Sequence, residues 1–138
     1  MIRPEVEDAL RKMVSTNRYM CLLGLELLEV GEGYAKMRMP YDDALLNPMG
    51  YLHGGALYSL ADVTGGIACR AYGVNVVTTD GQIRYLSPAK DTEYITCVAS
   101  KEKQGTHIGV YRTTLFDDAG NITDTGSFSY YILGDLEV

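Results

Sequence analysis

Gly54-Gly-Ala-Leu-Tyr-Ser-Leu-Ala-Asp62-Val-Thr-Gly-Gly-Ile-Ala-Cys-Arg70-Ala-Tyr72 is the stretch on which the fold turns. Its side chains are apolar or small almost all round, so a helix built from it is buried on most sides rather than laid on a surface. Gly65 and Gly66 each cost such a helix about 1 kcal/mol. Close approach of another backbone is the simplest compensation. Ahead of the helix, residues 40–53 show no periodicity and carry Pro40, Asn47, Pro48 and Gly50. An irregular segment of that length in a compact domain tends to carry function. Behind the helix, residues 75–87, 92–103, 107–117 and 122–133 are rich in Val, Ile, Thr and Tyr and read as strands. They are broken at Ser87-Pro88-Ala89-Lys90, at Lys103-Gln104-Gly105, and at Asp117-Asp118-Ala119-Gly120-Asn121, a hairpin turn.

Toward the amino terminus, Val6, Leu10, Met13 and Val14 recur at helical spacing, which predicts an amphipathic helix over 4–17 with Pro4 in its first turn. Residues 20–30 read as a strand and Gly31-Glu32-Gly33 as a turn. Ala35, Met37 and Met39 then alternate with Tyr34, Lys36 and Arg38, the period of a half-buried strand closing a hairpin. The predicted order is helix, hairpin, loop, buried helix and four antiparallel strands. A long antiparallel sheet curled round one apolar helix satisfies it, an α+β architecture. The 138 residues fit one domain, spanning 1–138.

At 46% hydrophobic and 22% charged residues the composition is that of a soluble globular chain with a real core. The net charge of −6 leaves no electrostatic footprint for nucleic acid or an anionic membrane. No stretch approaches the roughly 20 apolar residues of a membrane span. The amino terminus lacks an apolar signal core, so a cytoplasmic location is expected. Cys21, Cys69 and Cys97 form no CxxC pair and are expected to be buried, reduced thiols. Without a Walker, GxGxxG, HExxH or paired-cysteine pattern, neither a metal nor a nucleotide cofactor is expected.

Between Ala44 and Thr79 only Asp62 and Arg70 carry a fixed charge. Asp62 lies two turns inside the buried helix, where an unpaired carboxylate costs several kcal/mol. Arg70 is about 12 Å further along the axis, beyond direct pairing, so Asp62 is the candidate catalytic acid. His53-Gly54-Gly55 stands where the loop becomes the helix. There the first N–H groups lack internal partners and carry the positive end of the dipole, a setting for a developing oxyanion. Gly54 and Asp62 are themselves about 12 Å apart on one helix, too far to act on one carbon. If they cooperate, each Asp62 faces the Gly54 of another subunit, which requires at least a dimer.

Asn47-x2-Gly50-x2-His53-Gly54-Gly55, followed by Asp62, resembles the motif of the hotdog-fold acyl-CoA thioesterases, especially the phenylacetic-acid-degradation type and the related 4-hydroxybenzoyl-CoA thioesterases. The segment Thr79-Asp-Gly-Gln-Ile-Arg-Tyr-Leu-Ser-Pro88 resembles their strand after the helix. The resemblance implies a sheet wrapped round a central helix, homodimers or homotetramers with interfacial sites, and hydrolysis of an aryl- or medium- to long-chain acyl-CoA, whose coenzyme A enters only as substrate. It places the catalytic carboxylate at Asp62, as general base or nucleophile, with the simpler general-base role favoured. It places a thioester- or water-holding amide at Asn47 and the carbonyl-polarising N–H at Gly54. His53 is expected to orient the helix entrance. Gly50, Gly55, Thr79 and Arg84 are expected to meet substrate, with Arg84, Lys90, Lys101, Lys103 and Arg112 as candidates for the phosphates. Some related enzymes carry a hydroxyl four residues after the acid. Gly66 stands there, so a helper would come from Ser59, Thr64, Thr78 or Thr79. Two other readings are a non-catalytic acyl-CoA-binding or regulatory module on the same fold, and an acyl-chain dehydratase or hydratase.

Overall fold

A computed structural model describes residues Met1–Val138. Helix α1 (Pro4–Thr16) buries Val6, Leu10 and Val14, the face that its spacing marks as apolar. The expected strand over 20–30 is corrected at its first half. Arg18–Leu23 forms a second helix, α2, and strand β1 covers only Glu26–Gly31. Two caps explain this. The Asn17 side chain accepts the Met20 N–H at 3.1 Å, and Gly24 ends the helix in the left-handed region at φ 71°. Strand β2 (Tyr34–Pro40) pairs antiparallel with β1, and a short 3-10 turn at Asp43–Leu45 interrupts the loop that follows.

Helix α3 runs Gly54–Arg70 and is succeeded by β3 (Val74–Tyr85), β4 (Tyr94–Gln104), β5 (Ile108–Phe116) and β6 (Ile122–Asp135). All six strands join one antiparallel sheet in the order β1-β2-β4-β5-β6-β3. β3 therefore crosses to the far edge, pairing with β6 alone and leaving one side of its backbone ladder open. This is the hotdog fold: the sheet wraps α3, whose Leu57, Leu60, Ala61 and Ile67 pack with Met37, Ile95, Leu115 and Phe128 in one buried cluster. Removal of this much apolar surface from water is what holds the layers together. No helix is long and apolar enough to cross a membrane.

The glycine pair has a different neighbour from the one expected. A Cβ on Gly65 would lie 2.3 Å from the Tyr130 hydroxyl, and one on Gly66 would lie 2.9 Å from Arg70 Nη1. Side chains, not another backbone, fill the space beside them. Of the three thiols, Cys69 and Cys97 are buried but Cys21 is exposed, contrary to expectation, because it sits on the outer side of α2. Burial pushes the Cys97 thiol up to about 12.

Candidate active site

Two hollows lie at opposite ends of α3. The first, about 300 Å³, is lined by Asn47, Tyr51, Leu52, Gly54, Leu57, residues 85–89 and Asp124. Its mouth is the start of the helix. The His53 imidazole caps that start, Nδ1 accepting the Gly55 N–H at 2.8 Å, and the His53 carbonyl accepts the N–H groups of Ala56 and Leu57. Gly54 is left as the first-turn residue whose N–H has no partner within the chain. The Gly55 N–H is occupied by His53. The histidine thereby selects which amide faces the hollow.

Asn47 reaches the same hollow from the loop. Its Oδ1 accepts the N–H groups of Met49 (2.9 Å) and Tyr51 (3.1 Å), so the turn is clamped through the acceptor and the amide donors stay free. Gly50 serves this turn at φ 84°, its N–H donating to the Asn47 carbonyl at 3.0 Å; it does not line the hollow. Tyr85 was not foreseen. Its hydroxyl donates to the Gly54 carbonyl at 2.8 Å, and its ring lies 3.1 Å from where a Gly54 Cβ would stand. A side chain at 54 would press on that ring, which would have to give by a few tenths of an ångström. The signal for it lay inside the quoted segment, three residues before Pro88.

The second hollow, about 230 Å³, surrounds Asp62 with Met20, Val63, Gly66, Arg70, Val76, Val77, Thr78 and Tyr130. The Thr78 hydroxyl donates to Asp62 Oδ1 at 2.7 Å, and the Tyr130 hydroxyl donates to the Asp62 carbonyl at 2.6 Å. Burial lifts the Asp62 carboxyl above its ordinary range; the Thr78 and Tyr130 hydroxyls and the nearby Arg70 charge pull it partly back. Arg70 donates to the Val76 carbonyl at 3.0 Å and lends Asp62 charge without an ion-pair contact. A half-buried carboxylate of raised proton affinity, oriented by one hydroxyl, is suited to take a proton from water.

The hydroxyl helpers are now sorted. Ser59 and Thr64 bond the helix carbonyls of Gly55 and Leu60, and Thr79 donates to the Ser129 carbonyl. Only Thr78 meets the acid. The β3–β6 pairing register shifts between Thr78 and Asp80, so Thr79 stands at the irregularity. Arg84 is not brought to either hollow. It lies on the outer face of the sheet with Gln82, Glu102 and Arg112.

Asp124 was also unforeseen. It belongs to the first hollow, is 0% exposed, and neither carboxylate oxygen has a hydrogen-bond partner. Burial pushes its carboxyl up to about 6, against an opposing pull from the Thr123 hydroxyl. Stepping back by twos along β6 from the buried Tyr130 and Phe128 reaches Asp124, and that alternation was the available signal.

A hotdog fold with a half-buried helical carboxylate and an open amide at the helix start is the arrangement that the motif led one to expect of a thioesterase. Residues 49–123 match the Thioesterase superfamily model, and the chain belongs to that family. It is 34% identical to the acyl-coenzyme A thioesterase PaaI of Escherichia coli over 89 residues, which is 64% of each chain and so just under two thirds of that relative. It is 30% identical to the human acyl-coenzyme A thioesterase 13 over 103 residues, 72% of this chain and 74% of that one. The solved structure of E. coli PaaI superimposes with a TM-score of 0.91 over 99% of both chains at 24% identity, a likeness of fold.

Proposed function

We propose that the chain hydrolyses acyl-CoA thioesters at sites shared between two copies. The observation that carries this reading is the placement of Gly54 and Asp62 in separate hollows at opposite ends of α3, beside a strand edge left open for pairing. β3 runs past both, with Thr78 at the acid and Tyr85 at Gly54. Pairing of β3 with its copy about a two-fold axis would set the Thr78 end of one strand against the Tyr85 end of the other. Each Asp62 would then approach the partner's Gly54. Exposed Val77, Tyr85 and Leu86 along this edge gain burial from the same contact.

In the assembled site the thioester oxygen accepts the free Gly54 N–H at the positive end of α3, with the Asn47 amide beside it. Asp62 removes a proton from water as the water oxygen bonds to the carbonyl carbon. Collapse of the tetrahedral intermediate breaks the carbon–sulfur bond, releasing the acid and coenzyme A, whose sulfur takes up a proton. Thr78 holds the carboxylate in position, and Arg70 keeps its charged form accessible. The family match and the named acyl-CoA thioesterases among its relatives support this chemistry.

The test is thiol release from a panel of aryl- and alkyl-CoA thioesters. Asp62→Asn is expected to lower kcat by roughly 10²–10⁴-fold, the range for a positioned general base, with fold and assembly retained. Wild-type protein that binds acyl-CoA but releases no thiol from any member would favour a binding module instead.

A further inference from the structure

We infer that Arg70 is a specificity-determining residue that selects acyl groups ending in a carboxylate, the monothioesters of short dicarboxylic acids. The inference rests on the thioesterase reading, which sets the thioester carbon beside Asp62. The hollow that holds this acid also holds the Arg70 guanidinium, and its other walls include the apolar Met20, Val63 and Val76. Nη2 donates to the Val76 carbonyl at 3.0 Å. Nε is sealed and unbonded, whereas Nη1 is unbonded without being sealed. Nη1 is therefore the donor left to a group in the hollow.

Folding accounts for little of this arrangement. The bond to Val76 uses one of the several N–H donors of a guanidinium. No carboxylate is in ion-pair contact with Arg70, and burial lowers its pKa from the ordinary arginine value. A charge partly withdrawn from water is costly until an anion pairs with it. Asp62 shares the hollow, but it is held by the Thr78 hydroxyl and stays out of contact. Gly66 supplies the room. It stands four residues after the acid, where some related enzymes carry a hydroxyl, and a Cβ there would lie 2.9 Å from Nη1. The guanidinium thus folds back over α3 into the space of the missing side chain. Asp62 and Gly66 are one turn apart, about 6 Å along the axis. A short acyl chain leaving the carbonyl carbon beside Asp62 crosses that distance and brings a terminal carboxylate to Nη1. A methyl-terminated chain leaves the cation unpaired. The bond to the carboxylate is charge-assisted on both sides. A hollow of about 230 Å³ lies below the usual range of ligand pockets, which favours a compact tail.

The experiment measures kcat/KM for succinyl-, glutaryl- and adipyl-CoA against butyryl-, valeryl- and hexanoyl-CoA, pairs of equal chain length. Wild type is expected to prefer at least one carboxylated member over its neutral counterpart by about tenfold or more, since a site built to bond a charged group discriminates strongly against a ligand that lacks it. The ratio within each pair is what decides, because any change at Asp62 acts on both members alike. Arg70→Gln is expected to bring that ratio to one or below. Gly66→Ala keeps the arginine but displaces Nη1, the far end of a flexible side chain, and is expected to move the ratio toward one. Circular dichroism and assembly state show whether the variants fold. Should Arg70→Gln fail to assemble, Gly66→Ala decides: a ratio moved toward one upholds the inference, and an unchanged ratio overturns it. Wild-type ratios at or below one in every pair, or a preference that survives Arg70→Gln, overturn the inference while leaving the hydrolase reading intact. Absence of thiol release from these six and from the aryl- and alkyl-CoA panel overturns the hydrolase reading, and the same ratios are then read from calorimetric Kd values. Tighter binding of a carboxylated member that is lost in Arg70→Gln upholds the role of Arg70, and equal affinities overturn it.

Discussion

Asp124 makes a prediction about stability that needs no substrate. Its carboxyl titrates near 3.8 in an ordinary setting and at about 6 in the folded chain. The native state therefore holds this proton more tightly than the unfolded chain does. Stability from this group is greatest at low pH, falls as pH rises from about 4 to about 6, and levels off above. The full penalty is about 3 kcal/mol from the linkage of the two values. Between pH 4.5 and 7.5 the wild type should lose about 2 kcal/mol relative to Asp124→Asn, whose amide does not titrate. With an unfolding entropy of roughly 2.1 cal/mol/K per residue, that corresponds to a Tm difference changing by about 7 °C. Urea denaturation of both proteins at the two pH values, at one protomer concentration, measures it. Parallel pH dependences would refute the reasoning, because they would mean that the carboxyl finds a partner in the assembled protein.

Two further outcomes concern the acid and its sharing. Thr78→Val removes the hydroxyl that draws the Asp62 carboxyl downward, so the acid limb of the kcat/KM profile should move to higher pH; an unmoved limb with unchanged kcat would show that Thr78 does not orient the reacting group. Subunits carrying Asp62→Asn, mixed equally with subunits carrying Gly54→Pro, should recover about a quarter of wild-type activity if dimers reassort at random, since each mixed dimer has one intact site. No recovery in a mixture shown to exchange subunits would sink the shared site.

The buried helix and the hairpin of β5 and β6 were legible because their signals are local. An all-round apolar run, a glycine-bearing turn and a period of two each speak for their own element. The short helix α2 was not, since Asn17 and Gly24 act as caps only once the helix exists between them. Asp62 stood out as the lone acid in an apolar helix, and Gly54 as the residue where loop becomes helix. Thr78 was one of four hydroxyls that sequence could not rank. The fold decided among them, with Thr78 meeting the acid and Thr79 the Ser129 carbonyl.

By itself the sequence determined the types of the long elements, the α+β class and the family, because these follow from periodicity and from a motif contiguous in the chain. The tertiary structure decided what depends on distant strands meeting. β3 leaves its neighbour in sequence, β4, to pair with β6, which brings Tyr85 to the start of α3 and sets it opposite Asp124. In sequence Asp124 is set apart from the acids of the turn before it only by its spacing, in steps of two, from Phe128 and Tyr130 along the strand. Only the pleat of β6, closed over α3 by the curl of the sheet, turns that carboxyl inward, where water no longer offsets its burial.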